Sequence, residues 1–226
     1  MSGDENVAGG VEALYPFLYA GERNVDAVMD HIRRSTEEKA AEVVALRDEC
    51  LRRDGERLAR CAEEMAGAFA SGARLFGFGN GGSSTDAHDL AAMFAHPGDG
   101  RRPLPALSLT SDVAVVTALA NDIGFEVVFA RQLAALGRAG DIAVGLSTSG
   151  NSENLVRAFE EASRRGMLTV GLAGYEGGKM AEIDTIDHLF VVPSSSVHRI
   201  QEAQTTVYHV LWELSHVALE EMGATA

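Results

Sequence analysis

The sequence predicts an α/β protein in which a parallel sheet is wrapped by helices and preceded by a helical arm. Three observations lead there. Past residue 71, short apolar runs alternate with segments of helical spacing, the pattern of parallel strands joined by right-handed crossovers. Two of the strand-to-helix junctions carry turns rich in glycine or hydroxyl groups, Gly79-Asn80-Gly81-Gly82-Ser83-Ser84 and Ser147-Thr148-Ser149-Gly150-Asn151-Ser152. Residues 11–70, in contrast, hold few glycines and repeat their apolar side chains at helical intervals.

Taken in order, residues 1–10 read as a flexible N-terminus. The arm, 11–70, places Val25, Val28, Met29 and Ile32, then Val43, Val44 and Leu46, at helical spacing. Two or three helices are expected there, with a break near Arg53-Asp54-Gly55. Such an arm either packs on a partner subunit or gives extra cover to its own sheet. Strands are expected near 74–78, 106–109, 142–146, 168–172 and 189–192. Helices are expected near 85–94, 112–119, 125–135 and 155–164. A long helix over 200–222 carries Trp212, the single tryptophan.

Composition narrows the function classes. The 226 residues are 46% hydrophobic and 23% charged, ordinary for one globular domain with an appendage. A net charge of −14 argues against direct nucleic-acid binding through a basic surface. Cys50 and Cys61 lack metal-ligand spacing, and no apolar run reaches the length of a membrane span. With no signal-peptide pattern evident, a reduced cytoplasmic protein with no membrane partner is expected.

The two turns point to an anion. Glycine lets the backbone approach a ligand closely, and the N–H groups at a helix start, with the positive end of its dipole, face that ligand. In the second turn, hydroxyls add donors suited to phosphate oxygens. Two such turns in one chain suggest a phosphorylated ligand. The plainer reading, that Ser83 and Ser152 cap helices, is compatible with either role.

Several motifs in one collinear order make the resemblance specific. Gly79-Asn80-Gly81-Gly82-Ser83, Asn121-Asp122-x-Gly124-Phe125, Gly140-Asp141, the run 147–152, Gly177-Gly178 and Arg199-Ile200-Gln201-Glu202 together resemble the sugar isomerase (SIS) domain. Over about residues 60–220 the chain is most similar to the sedoheptulose-7-phosphate isomerases. The resemblance implies a three-layer, flavodoxin-like sandwich with a five-stranded parallel sheet over 71–226. It also implies a homotetramer with active sites at subunit interfaces, to which the N-terminal helices contribute. It assigns the sugar phosphate to Asn80, Gly81, Gly82, Ser83, Ser147, Thr148, Ser149 and Ser152, and puts Asp112, Asp122 and Gln201 near the substrate. Asp112 and Asp122 could equally cap a helix or fix a turn.

Aldose–ketose isomerisation through an enediol needs a base beside the first carbon and a relay to the oxygens. Isomerases of this family place a histidine and a glutamate one turn apart on the helix after the first loop. A glutamine and a second histidine come from the last helix, and the four can bind zinc. Here Gln201 and His209 keep the last-helix pair, but Asp89 stands at the first histidine position and Met93 at the glutamate position. Methionine cannot abstract a proton. Three expectations follow. Asp89 replaces the base and works with His209, with His88 or His198 close by in sequence. In that case Asp89, Gln201 and His209 form a looser three-ligand set for zinc or another divalent ion. Alternatively, the chain is a non-catalytic phosphosugar-binding regulator of the replication-initiator-binding type. Thirdly, His198 beside Arg199 reflects a pocket for a different sugar phosphate. The first expectation, interconversion of sedoheptulose 7-phosphate and D-glycero-D-manno-heptose 7-phosphate or a similar pair, requires no nucleotide or organic cofactor.

Overall fold

The computed structural model describes residues 25–98 and 100–223, so the expectations for 1–24 lie outside the described residues. The chain divides into two compact units, 1–42 and 43–226. In the first unit, the described residues are helical and leave Val28, Met29 and Ile32 exposed.

The second unit is built on five strands: β1 (Leu75–Gly79), β2 (Ala106–Ser108), β3 (Ile142–Ser147), β4 (Leu168–Gly174) and β5 (His188–Val192). They pair in parallel in the order β2-β1-β3-β4-β5. Helices α1 (Val25–Ala70), α2 (Gly82–Ala95), α3 (Val113–Asp122), α4 (Val128–Leu136), α5 (Glu153–Arg164) and α6 (Val197–Glu221) complete the α/β fold. The residues expected as strands are strands, within two residues at each end.

Period-2 alternation sorts the strand side chains to two buried faces. Ile142, Val144 and Leu146 of β3 join Leu90 and Phe94 of α2, Tyr208 and Leu211 of α6, and Met65 and Phe69 of α1. Ala143 faces the other way, with Phe76 and Phe78 of β1, Phe129 and Leu133 of α4, and Leu155 and Phe159 of α5. Phe78 lies between Phe129 and Phe159, with ring centroids 5.6 and 5.3 Å away, a spacing at which aromatic pairs attract.

The expected break at Arg53-Asp54-Gly55 does not occur; α1 is continuous from Val25 to Ala70. The reason is tertiary. Leu46, Cys50, Asp54, Leu58, Cys61, Met65 and Phe69 form one buried stripe, and Asp54 on that stripe is paired with Arg53 at 2.6 Å and Arg57 at 2.8 Å. The same arginines donate to the carbonyls of Val191 and Leu189 on edge strand β5. Those contacts cover an open sheet edge and outweigh the roughly 1 kcal/mol that a helical glycine costs. Both cysteines are free and buried on this helix, and no helix among the described residues is long and apolar enough to cross a membrane.

Candidate active site

The chain leaves β1 for β2 on one side, and β3 returns on the other side of β1. Ligands in open α/β sheets collect at such a switch point, beyond the carboxyl ends of the strands. Both turns lie there, because β1 and β3 are neighbours with Gly79 paired to Leu146. A Cβ on Gly79 would stand 2.4 Å from the Ser83 carbonyl oxygen and 3.0 Å from that of Leu146, so only glycine lets the first turn fold back. Gly81 opens α2 and Ser152 opens α5, and neither helix start has a side-chain cap. Asp112, by comparison, caps α3 by accepting from the N–H groups of Ala114 and Val115. Two uncapped helix starts at one switch point are suited to an anion.

The serines of the second turn divide their work. Ser147 is buried; its Oγ lies 3.1 Å from Ser152 Oγ and accepts from the Gly150 N–H, which closes the turn from within. Ser149 Oγ accepts from Asn151 N–H, while Thr148 and Ser149 are half-buried at the rim. Gly150 packs so tightly that a Cβ there would meet the Gly177 carbonyl oxygen at 1.8 Å. Asn151 Oδ1 accepts from Lys179 N–H at 3.0 Å, so the Gly177-Gly178 turn buttresses the serine turn. Asn80 of the first turn exchanges two hydrogen bonds with Asn154 on α5. A cavity of about 730 Å³ opens beside Ser149 and Asn151, towards Tyr175, Glu176 and Ser194, in the size range of small-ligand sites.

Next to the first turn, α2 and α6 bring a second set of groups together. Asp89 Oδ2 accepts from the Tyr208 hydroxyl at 2.9 Å and lies 3.8 Å from His209 Nε2. The Gln201 amide lies over Gly82, at the place a Cβ would occupy, and hydrogen-bonds Asp86. Burial pushes the Asp86 carboxyl up and the Asp89 charge adds to this, against the Gln201 hydrogen bond. Asp86 Oδ2 is buried with no hydrogen-bond partner among the described residues. Burial, more than the neighbouring carboxylates, likewise keeps the Tyr208 phenol protonated, as a donor.

Met93 packs on the core side of α2, and its carbonyl accepts from Trp212 Nε1 at 3.0 Å. The set is therefore two carboxylates, an amide, a phenol and an imidazole around the place a base would stand. Asp112 and Asp122 are not brought together; they mark opposite ends of α3, about 15 Å apart by helical rise. His88 is exposed, with Nδ1 3.4 Å from Ser111 Oγ, and His198 is exposed in the first turn of α6.

Sequence reasoning missed Asp86, Tyr208 and Asn154. Asp86 and Asp89 stand at i and i+3 on one helical face, and that spacing could have found Asp86. Nothing local marks the other two, whose partners are 119 and 74 residues away.

Among the described residues no group of three or more histidine, cysteine, aspartate or glutamate side chains is gathered for a metal. Gln201 is engaged with Asp86, which leaves the Asp89–His209 pair where zinc commonly takes four ligands, or three and water.

The SIS domain profile matches residues 40–174. A phosphoheptose isomerase of Thermodesulfovibrio yellowstonii is 39% identical over 198 residues, covering 87% of this chain and 96% of that protein. One from Nitratidesulfovibrio vulgaris (strain Miyazaki F) is 42% identical over 197 residues, covering 86% and 94%. Among solved structures, phosphoheptose isomerase of Neisseria gonorrhoeae superposes with a TM-score of 0.74 at 36% identity, covering 80% of this chain and 97% of that one.

Proposed function

We propose, from the premise that this chain belongs to the SIS domain family and within it to the phosphoheptose isomerases, that it interconverts sedoheptulose 7-phosphate and D-glycero-D-manno-heptose 7-phosphate. The observation that carries the reading is the Asp89–His209 pair beside the glycine turn, at 3.8 Å. A carboxylate facing an imidazole restores a proton-transfer couple where Met93 supplies none. The uncapped starts of α2 and α5, with Ser83, Thr148, Ser149 and Gly82, hold the phosphate.

In the ketose-to-aldose direction His209, rather than the Asp89 expected as the base, takes a proton from C1 of the open-chain sugar. The C2 carbonyl becomes the enediol hydroxyl as the O1 proton is passed to O2. His209 then returns a proton to C2, and C1 is left as the carbonyl. Asp89 steadies the imidazolium and, with the Tyr208 hydroxyl, keeps its own orientation. Gln201, held over Gly82, faces the sugar oxygens. C1 is oxidised as C2 is reduced within one sugar, so the balance needs no nicotinamide or flavin.

The surface of α3 supports assembly. Its sequence is largely apolar, yet none of its residues is buried; Val113 is 68% exposed, and Ile123 and Phe125 beyond it are exposed as well. Apolar surface of this kind is normally covered by a partner. We assign the cover to further copies of this chain, as a homotetramer in which a neighbouring subunit completes the half-exposed Asp89–His209 site. A charged substrate and two buried free thiols suit the cytoplasm. The non-catalytic alternative is not favoured, because kinship to isomerases runs over almost their full length. Incubation with sedoheptulose 7-phosphate, followed by proton NMR, should give the anomeric signals of an aldose phosphate. Unchanged ketose over many turnovers' worth of time would refute the assignment.

A further inference from the structure

The structure assigns to Asn154 a role beyond its helix: we propose that it is a positioning residue that fixes the gap between the two phosphate-binding turns. The inference rests on the reading of those turns as a phosphate site. Asn154 is the second residue of α5 and is 3% exposed. The cap position of this helix is Ser152, so Asn154, one residue inside the first turn, is free of a capping role and its side chain reaches out of the helix. Its Nδ2 donates to Asn80 Oδ1 at 2.9 Å, and its Oδ1 accepts from Asn80 Nδ2 at 2.9 Å.

The consequence is geometric. Asn80 belongs to the turn after β1, and Asn154 to the helix that follows the turn after β3. A reciprocal amide pair has one separation and one mutual orientation at which both bonds form. It therefore ties the start of α5 to the first turn across the switch point, independently of the β1–β3 ladder below. A phosphate seated between the turns meets donors whose spacing is already set, which lowers the ordering cost of binding. The pair uses one donor and one acceptor of the Asn80 amide and so fixes the orientation in which its second N–H and its backbone N–H are presented.

The test separates this role from ordinary stability. Inorganic phosphate affinity, KM and kcat are measured for wild type, Asn154→Ala, Asn80→Ala and the double variant. Loss of two neutral hydrogen bonds predicts a rise of about tenfold in phosphate Kd and in KM, with kcat changed by about twofold or less. It also predicts that the double variant is no worse than either single one, because one coupling is lost in all three. Asn154→Ala with phosphate Kd within about twofold of wild type, or single effects that multiply in the double variant, would overturn it. If Asn154→Ala does not fold, Asn80→Ala, on the half-buried turn, decides on the same readouts. Phosphate binding without sugar turnover in the wild type would refute the isomerase reading and leave this proposal to be judged on Kd alone. Absence of phosphate binding would overturn both.

Discussion

Asp86 and Asp89 show how two carboxylates a helical turn apart come to differ. Asp89 is open to solvent and has a phenol and an imidazole as neighbours, whereas Asp86 is driven inward and keeps one oxygen without a partner. Replacing Asp89 by Asn should keep the fold and lower kcat by about 10²-fold, and His209→Gln by about 10²–10⁴-fold, with KM changed far less. Stopped assays at saturating sugar phosphate check both, and full activity in either variant would remove that residue from the mechanism. Asp86→Asn should instead raise Tm at pH 7. Burial lifts the folded-state pKa above the unfolded value near 3.9, so the ionised carboxylate costs stability wherever it is charged in both states. That cost, and with it the stabilisation, should shrink as pH falls through the folded pKa and vanish below the unfolded one. Thermal unfolding at pH 7 and pH 3.5 measures it; a lower Tm for the variant at pH 7 would contradict the burial argument.

At the scale of elements, the turns and helices explain most of what the sequence made legible. Five strands were readable because each is a short apolar run ended by glycine, serine or proline. α2 begins three residues before the expected 85–94, since its first turn is Gly82-Ser83-Ser84, a composition that looks like loop. The break expected in α1 failed because its remedy lies 132 to 138 residues away, at the carbonyls of β5. Gly150 is a sharper case, since its motif was recognised while its physical reason, the Gly177 carbonyl behind it, was invisible. Gly150→Ala should disorganise the serine turn and weaken inorganic phosphate binding by more than about tenfold, because backbone, not a flexible side-chain end, must move. Isothermal titration would show it, and unaltered affinity would mean that the turn tolerates the shift. Val113→Glu on α3 with Phe125→Glu just beyond it should reduce the assembly mass measured by light scattering; a tetramer that persists would place the contact elsewhere.

For the whole molecule, a parallel sheet with its switch point between β1 and β3 puts both turns, to which we assign phosphate capture, at the carboxyl ends of its central strands. The proposed phosphate end is legible from the turns alone. The reacting end was legible only through resemblance, and there only in part: Met93 announced that a base was missing, but the couple around Asp89 depends on α6 crossing α2, which no local pattern records. The most direct measurement of isomerase chemistry is solvent exchange. Sedoheptulose 7-phosphate is incubated with the wild-type chain and with His209→Gln in deuterated water and followed by proton NMR. Proton transfer through an enediol predicts aldose phosphate carrying deuterium at C2, and ketose exchanging at C1, with both lost in the His209→Gln variant. Sugar that binds to the wild type yet is recovered unconverted and unlabelled would contradict isomerisation by this chain.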